Sequence, residues 1–429
     1  MYQAIVAKIT TRKIEGMDNL LLGNVSGYNV LVSKETPENS LGIFFESGGQ
    51  LSPEFSQAND LIRRKDAEGN AAGGYFEDNR RVKSIRMRGV ISEGFFCSLE
   101  TLNFTGANLS DYKEGDQFDT VNGIKICSKY FTLRTARAMR ENQDRTAKRE
   151  NKMFAKHIET GQFKREGQNI PVGSYIIITE KCHGSSHRMA LVQEIAPIVP
   201  KNKLAAWWAK LTKQPDSVTE WKTLHGSRNV VLSDANPGYY GSHEFRYKAT
   251  SGINLRKGEV IYGEIVGYTD EANLVMERQD VSKLKDKKIE KVFGSDMMYS
   301  YGCNAGEQKF FVYRITQVNE DGHAVELSWN QVLGRCRELA LTPVPTMDTF
   351  IYDGDLESLS LRVGRLVGGE SGMDALASVL DSSHVREGVV VRFESSQGTG
   401  FLKEKSKIFG LLEGYLKDRE DFVDLEEAA

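Results

Sequence analysis

Residues 175–191 read Y-I-I-I-T-E-K-C-H-G-S-S-H-R-M-A-L, and the fold turns on this stretch. The run Ile176, Ile177 and Ile178 fits a strand covered on both faces, which can deliver Lys181 rigidly to the floor of a cleft. Gly184 then allows a tight turn or the close approach of a ligand. A lysine held this way suits attack on phosphorus, because an amine nucleophile has to be fixed in line and kept partly neutral at pH 7. The spacing Lys-x-x-Gly selects nothing by itself, since it recurs at Lys13, Lys164, Lys291 and Lys407. Lys181 is singled out by the ordered series of residues downstream of it.

At 429 residues the chain exceeds the usual single-domain size, so two or three domains are expected. It contains no apolar run of the ~18 residues that a membrane helix needs, and the N-terminal M-Y-Q-A-I-V-A-K-I-T lacks the apolar core of a secretory signal. A soluble, cytoplasmic protein is expected. Cys97, Cys127, Cys182, Cys303 and Cys336 are scattered without a C-x-x-C pair, which argues for reduced thiols and against a zinc site or a disulfide framework. The net charge of -3 does not advertise a polyanionic partner, but its distribution is uneven. Residues 131–169 hold ten Lys/Arg against five acids, and residues 411–429 hold seven acids against two bases.

Residues 1–130 read as short strands separated by turns rich in Gly, Asn, Asp and Ser, the pattern of a small β-barrel. Arg81, Lys83, Arg86 and Arg88 interleave with apolar residues, placing cations along one side of a strand that could track a phosphate backbone or form a solvated edge. Residues 131–165 read as an exposed basic helical linker with Arg134, Arg137 and Arg140 at helical spacing. Within a surface insertion at 197–222, Leu204, Trp207, Trp208 and Leu211 predict a packed helix. Residues 411–429 read as an acidic C-terminal tail.

Between these segments, residues 166–410 alternate buried-strand and helix signals. Arg228 enters a strand, where a fixed guanidinium could hold a phosphate or ribose edge, or an ordinary salt bridge. Glu264 sits in the apolar run G-E-V-I-Y-G-E-I-V-G, a costly place for a carboxylate unless it is paired or serves a metal. Tyr313 lies in an aromatic-rich strand, where it can stack on a base or simply fill the core. Residues 328–340 predict an amphipathic helix ending before Pro343. Glu387 opens R-E-G-V-V-V-R-F, and Lys403 and Lys405 alternate with Glu404, which puts both lysines on one face of a strand. Two such lysines repel each other unless an anion, such as a polyphosphate, lies between them.

The ordered series Lys181-x-x-Gly184, Arg228, Y-G-Glu264-I, F-V-Tyr313-R-I, Glu387-G-V-V and Lys403-x-Lys405 resembles the six motifs of the covalent nucleotidyltransferases, the polynucleotide ligases and capping enzymes. Within that superfamily it is most similar to ATP-dependent RNA ligases of the Deinococcus and Naegleria type. The resemblance implies a multidomain α+β chain, with an N-terminal OB-like nucleic-acid-binding barrel over residues 1–130. An ATP-grasp-like nucleotidyltransferase domain of antiparallel sheets with flanking helices would then occupy residues 166–410. It implies that Lys181 attacks the α-phosphate of ATP, that AMP passes to an RNA 5′-phosphate, and that a 3′-OH displaces it to seal a nick in RNA repair. Glu264 and Glu387 would hold hydrated Mg2+ or Mn2+ and the ribose. Gly184 would border the nucleotide, and Tyr313 would stack on adenine. Lys403 and Lys405 would neutralise the α-phosphate, and Arg228 would contact AMP or the terminal 5′-phosphate. His183 stands where many relatives carry Asp, as in some other RNA ligases, and Arg188 has no assigned role beyond that of a strand residue with a surface salt bridge. The implied partner is RNA or an RNA-containing nicked duplex with 5′-phosphate and 3′-OH ends, met by a monomer. Two alternatives carry contrary signals. A DNA ligase would place its OB domain after the K-x-K motif, and an inactive OB-fold RNA-binding protein would be expected to have lost some of the lysines and glutamates retained here.

Overall fold

The computed structural model describes residues 2–65, 68–69, 71–145, 151–197, 212, 217–232, 240, 242–419 and 422. It divides into two compact units, one made of Met1–Thr132 with Lys407–Glu420 and the other of Leu133–Ser406 with Asp421–Ala429. Packing therefore draws the boundaries differently from the residue pattern, which separated 1–130, 131–165, 166–410 and 411–429.

In the first unit, strands Gly94–Ser98, Leu41–Glu46, Ala4–Lys8 and Gln117–Phe118 form a four-stranded sheet in that order, and Thr10–Lys13, Leu20–Val25 and Tyr28–Ser33 form a three-stranded one. The strand Leu41–Glu46 shows why the region is apolar on both sides of its alternation. Ile43 and Phe45 join one core cluster with Ala4, Leu51 and Phe55, while Phe44 joins a second with Ile5, Ala7, Ile9 and Val30. Among the described residues these sheets do not close into a barrel.

The expected row of cations on one strand is not formed. Of the four, only Arg86 lies in a strand, Ile85–Met87, which pairs with Val90–Ser92. Arg88 occupies the intervening turn at φ 46°, its guanidinium donating to the Gly16 carbonyl. Arg81 and Lys83 precede the strand and are engaged by an acid instead of lining its face. The Arg81 side chain is buried, with Nη1 2.8 Å from Asp418 Oδ1 and 3.2 Å from the Gly414 carbonyl, and Lys83 Nζ lies 3.0 Å from Asp418 Oδ2.

Their partner belongs to the segment read as an acidic tail. Lys407–Lys417 is a helix whose Ile408, Phe409, Leu411, Leu412 and Leu416 are buried, and Lys407 Nζ lies 3.5 Å from Glu93 Oε2. The apolar stripe at helical spacing was masked by the acids crowded just beyond it. The rest of that segment, apart from residues 418, 419 and 422, lies outside the described residues.

Among the described residues the second unit holds two large sheets and a short two-stranded one, Gln279–Asp280 with Asp296–Met297. A five-stranded sheet runs Gly161–Gln162, Gly398–Lys405, Gly388–Ser395, Tyr175–Lys181, Thr346–Ile351, and a longer one runs Ser217–Gly226, Ser185–Pro197, Glu259–Gly267, Gln308–Val318, Ala324–Glu326. Apart from the short parallel pairs at Gly161–Gln162 and Thr342–Pro343, the ladders of these two sheets are antiparallel. The helix Leu356–Gly368 covers the first sheet by burying Leu359, Val363 and Val367 against Ile176, Ile178, Val389 and Val391. Ser328 and Gln331 form a reciprocal capping box that starts the expected amphipathic helix, Trp329–Glu338.

The basic linker is only partly a linker. Arg134, Arg137 and Arg140 are exposed on helix Leu133–Arg145, but Met153 and Phe154 are buried against Ala190, Val192, Tyr262 and Val318. With so few apolar residues in the segment, no periodicity announced these two anchors. The helix expected around Leu204, Trp207, Trp208 and Leu211 lies outside the described residues. The end of the same insertion is strand Ser217–Gly226, paired along Ser185–Pro197.

Asp418 gives the first unit a testable dependence. Removing a buried donor's partner costs about 1–3 kcal/mol, so Asp418→Ala is expected to lower resistance to denaturant by that order. The Arg81→Met/Asp418→Leu double variant, which replaces both partners by apolar groups, should recover much of the loss. Unchanged unfolding of Asp418→Ala would show that the pair is dispensable to the docked helix.

Candidate active site

Lys181 is the last residue of its strand, and the three residues Cys182, His183 and Gly184 carry the chain from the five-stranded sheet to Ser185 in the longer one. The lysine therefore sits at the junction of the two sheets. Across the first sheet it is in register with Gly388, which is in register with Lys405. A Cβ on Gly388 would run into the Glu404 carbonyl and the Lys405 Cα, so only glycine lets the two strands approach here. This close approach brings the residue just before it, Glu387, between the lysines.

Glu387 Oε1 accepts from both, at 2.8 Å from Lys181 Nζ and 3.2 Å from Lys405 Nζ. The Glu387 side chain is 2% exposed, against 21% for Lys181 and 35% for Lys405, so both lysine side chains are partly exposed while the carboxylate is buried. Burial alone would raise the Glu387 carboxyl, but Lys181, Lys405 and His183 beside it hold it well below the usual carboxylate range. His183 Nδ1 lies 3.6 Å from Glu387 Oε2, just beyond hydrogen-bond reach. Lys403 lies two residues before Lys405 on the same strand, opposite Val390, and so on the same face.

The longer sheet carries the next candidates. Glu264 is 8% exposed and in register with Ser186, whose Oγ lies 3.1 Å from the Tyr313 hydroxyl. Tyr313 is the extra residue of a bulge between the strands at Tyr262/Gly263, a distortion that re-aims its side chain. Burial and then the Glu264 carboxylate raise the Tyr313 phenol, keeping it a neutral hydroxyl. The Cys182 thiol is likewise pushed well up, by burial first and then by Glu180, Glu264 and Glu387 around it. This cysteine is a packed residue and not a second nucleophile. Gly184 is close to β-sheet backbone: a Cβ there would collide with the Ile265 carbonyl and crowd Glu264. Its close approach is therefore to the strand that carries Glu264.

Two expectations change. Arg228 lies in the turn closed by the Gly226–Val231 bridge instead of entering a strand, and its carbonyl accepts from the His157 N–H at 3.2 Å. Arg188 is 2% exposed, stacks 4.2 Å over Phe154, and donates to the carbonyls of Ser227, Phe154 and Ala155. It ties the Arg228 turn to the Met153–Phe154 anchor, so the surface salt bridge expected of it is replaced by buried backbone contacts.

Sequence reasoning missed Arg246, Tyr301 and Asp381. Arg246 is 1% exposed and donates from Nη1 to the Ser186 carbonyl at 2.9 Å and from Nη2 to Ser185 Oγ at 2.6 Å, steadying the strand just past Gly184. Tyr301 accepts from the His183 N–H, and Asp381 accepts from the Gly302 N–H next to Tyr301. None of these stands in a recognisable spacing with Lys181, and a lone arginine or tyrosine carries no signal of its own. The other Lys-x-x-Gly lysines have structural settings: Lys164 pairs with Glu404 at 3.0 Å, Lys407 pairs with Glu93, Lys13 ends a strand and Lys291 lies in helix Lys287–Phe293.

The arrangement offers a partly exposed lysine at the end of an inner strand, a second lysine sharing its carboxylate, a third on the same face, and a buried glutamate on the other sheet. Two ammonium groups on one carboxylate leave an excess of positive charge that complements a polyphosphate.

Solved structures of Naegleria gruberi RNA ligase share the fold. A Lys-to-Met mutant with AMP and Mn matches at a TM-score of 0.56 and 14% identity, covering 98% of this chain and 99% of that one. A Lys-to-Ala mutant with ATP and Mn matches at 0.56 and 13%, over 97% and 99%. The ligase with PPi matches at 0.53 and 15%, over 98% and 99%. No curated protein sequence matches the chain. A family model described as RNA ligase matches residues 174–408, more than half of the chain and the whole span from the lysine strand to Lys405. The chain belongs to the RNA ligase family.

Proposed function

We propose that the protein is an ATP-dependent RNA ligase of the Deinococcus and Naegleria type, working by a lysyl-AMP intermediate on Lys181. The observation that carries the reading is the Lys181–Glu387–Lys405 cluster. In the first step the Lys181 amine, having lost its proton, attacks the α-phosphorus; a P–N bond forms and the bond to the departing diphosphate breaks. In the second, an oxygen of the RNA 5′-phosphate attacks the same phosphorus, cleaving P–N and returning the amine. In the third, a 3′-OH attacks the activated 5′-phosphorus and AMP leaves. Such phosphoryl transfers need positioning and charge neutralisation more than covalent help. Lys405 and Lys403 supply positive charge on the side of the nucleophile, Tyr313 a face for adenine, and Arg228 a contact to AMP or the 5′-phosphate, while Gly184 borders the nucleotide by letting the chain pack on the Glu264 strand.

The donor set also fits a divalent cation of the Mg2+ or Mn2+ kind. Glu387 Oε2 is buried with no hydrogen bond, and among the described residues no cluster of three or more metal-ligating side chains forms a cage. One or two carboxylates with water and substrate phosphates completing the shell is what such hard ions take. A hydrated ion held by Glu387 and Glu264 would neutralise charge on the transferring phosphoryl group and compete with Lys181 for the carboxylate. The proposed substrate is a nicked duplex with 5′-phosphate and 3′-OH RNA ends, met by a cytoplasmic monomer in RNA repair, the first unit acting as an OB-like grip. No helix among the described residues is long and apolar enough to cross a membrane.

With ATP labelled at the α-phosphate, Lys181→Ala is expected to abolish transfer of label to protein, while Lys13, Lys164, Lys291 and Lys407 variants keep it. A Lys181→Ala protein that still labels would remove the assignment. Glu264→Ala and Glu387→Ala should each slow sealing by orders of magnitude at saturating metal; near-normal sealing by both would take them out of the site.

The nucleic-acid grip is read from salt dependence. Beside the first-unit cations Arg81, Lys83, Arg86 and Arg88, the second unit offers Arg134, Arg137 and Arg140, exposed on helix Leu133–Arg145. Replacing the three helix arginines by Ala should flatten the fall of log affinity with log salt, the slope dropping by about one for each phosphate no longer neutralised. An unchanged slope in a folded variant would leave that helix a solvated face.

A further inference from the structure

The turn Cys182–Gly184 is held from outside by a second segment. The backbone N–H of His183 donates to the Tyr301 hydroxyl at 2.6 Å, and the His183 ring packs edge-on against Tyr299, with centroids 4.6 Å apart. Tyr301 is 2% exposed and sits at φ 52°, a left-handed conformation that costs a tyrosine energy unless its surroundings impose it. They do. Asp381 Oδ2 accepts from the Gly302 N–H at 2.8 Å and from Ser300 Oγ at 3.2 Å, and Lys309 Nζ donates to the carbonyls of Tyr301 and Gly302 at 2.8 and 3.3 Å. The ring is braced by His384, with centroids 4.4 Å apart.

A strained residue clamped on three sides, with its hydroxyl on the backbone two residues from the nucleophile, is a costly way to fill a core. Lys181 is fixed on its strand side by pairing with Gly388. Beyond it the chain leaves one sheet for the other, and the His183 N–H there is satisfied by Tyr301. We propose that Tyr301 is a positioning residue for the nucleophile: its hydroxyl fixes the turn after Lys181, so that it governs formation and discharge of the lysyl adduct but not the final joining step. The inference rests on Lys181 as the nucleophile. P–N bond formation and cleavage both need the amine in line with phosphorus, whereas the attack of a 3′-OH on pre-adenylated RNA makes no bond to the lysine. A misplacement of about 1 Å costs on the order of 10²-fold in rate, and it falls on the first two steps alone.

Tyr301→Phe keeps the ring and removes the acceptor. Single-turnover self-adenylation should slow by about 10- to 10²-fold at saturating ATP, with the ATP concentration giving half-maximal rate little changed. Sealing of a chemically pre-adenylated nick should stay near the wild-type rate. Asp381→Ala, which loosens the clamp without touching the hydroxyl, should reproduce the split at smaller size and guards against a poorly folded Tyr301 variant. Equal losses in adenylation and in pre-adenylated sealing would make Tyr301 a structural residue only and overturn the proposal, as would adenylation at the wild-type rate in both variants. Absence of any labelled adduct in the wild-type protein would instead strike the reading of Lys181 on which the inference stands.

Discussion

Glu387 is the point on which the site depends. A carboxylate this deeply buried is expensive to keep charged, and two lysines on one oxygen are what keep it so. The cluster is a poor way to stabilise a fold, since an apolar substitute of equal volume commonly serves as well or better. It is a good way to hold two amines together at a surface they would otherwise repel each other from. The carboxylate makes a dense positive site tolerable in the absence of a polyanion, and an arriving polyphosphate can take over part of the neutralisation.

Backbone packing makes that arrangement reachable. The row Lys181, Gly388, Lys405 exists because position 388 has no Cβ to meet the Glu404 carbonyl, and Gly184 lets the outgoing chain press against the Glu264 strand in the same manner. The two glycines are thus steric requirements of the sheets around the lysine. The bulge that re-aims Tyr313 adds a third local distortion at the same junction. Regular ladders carry the frame, and each of these departures from regularity coincides with a residue of the candidate site.

The parts of this design that were legible in the sequence are those with local periodicity. The isoleucine run, the Lys403-x-Lys405 alternation and the capped helix at Trp329 could be read because a strand repeats every two residues and a helix every 3.6. Glu264 was legible for the opposite reason, as a charge that violates its apolar run. The hidden parts depend on distant partners. Arg81 and Lys83 looked like a nucleic-acid strand because nothing near them in sequence reveals Asp418, more than three hundred residues on. The docked helix at 407–417 was disguised by the acidic residues beyond it. Met153 and Phe154 gave no period because two residues cannot make one, although they anchor the linker in the core and Phe154 stacks under Arg188.

Tyr301 belongs to the same hidden class, and it shows where the site's precision comes from. Charge can be supplied from several positions, because electrostatic neutralisation falls off gently with distance. An in-line attack cannot, because it depends on the placement of one nitrogen to a fraction of an ångström. The strand fixes Lys181 only up to its end, and the next three residues have to change sheets. Precision there has to come from outside the two ladders, and the segment that reaches in from Ser300–Gly302, braced by Asp381 and Lys309, is placed to give it. Its strained backbone follows from that geometry: a relaxed tyrosine at this position would direct its hydroxyl elsewhere, and the His183 N–H would be left buried without an acceptor.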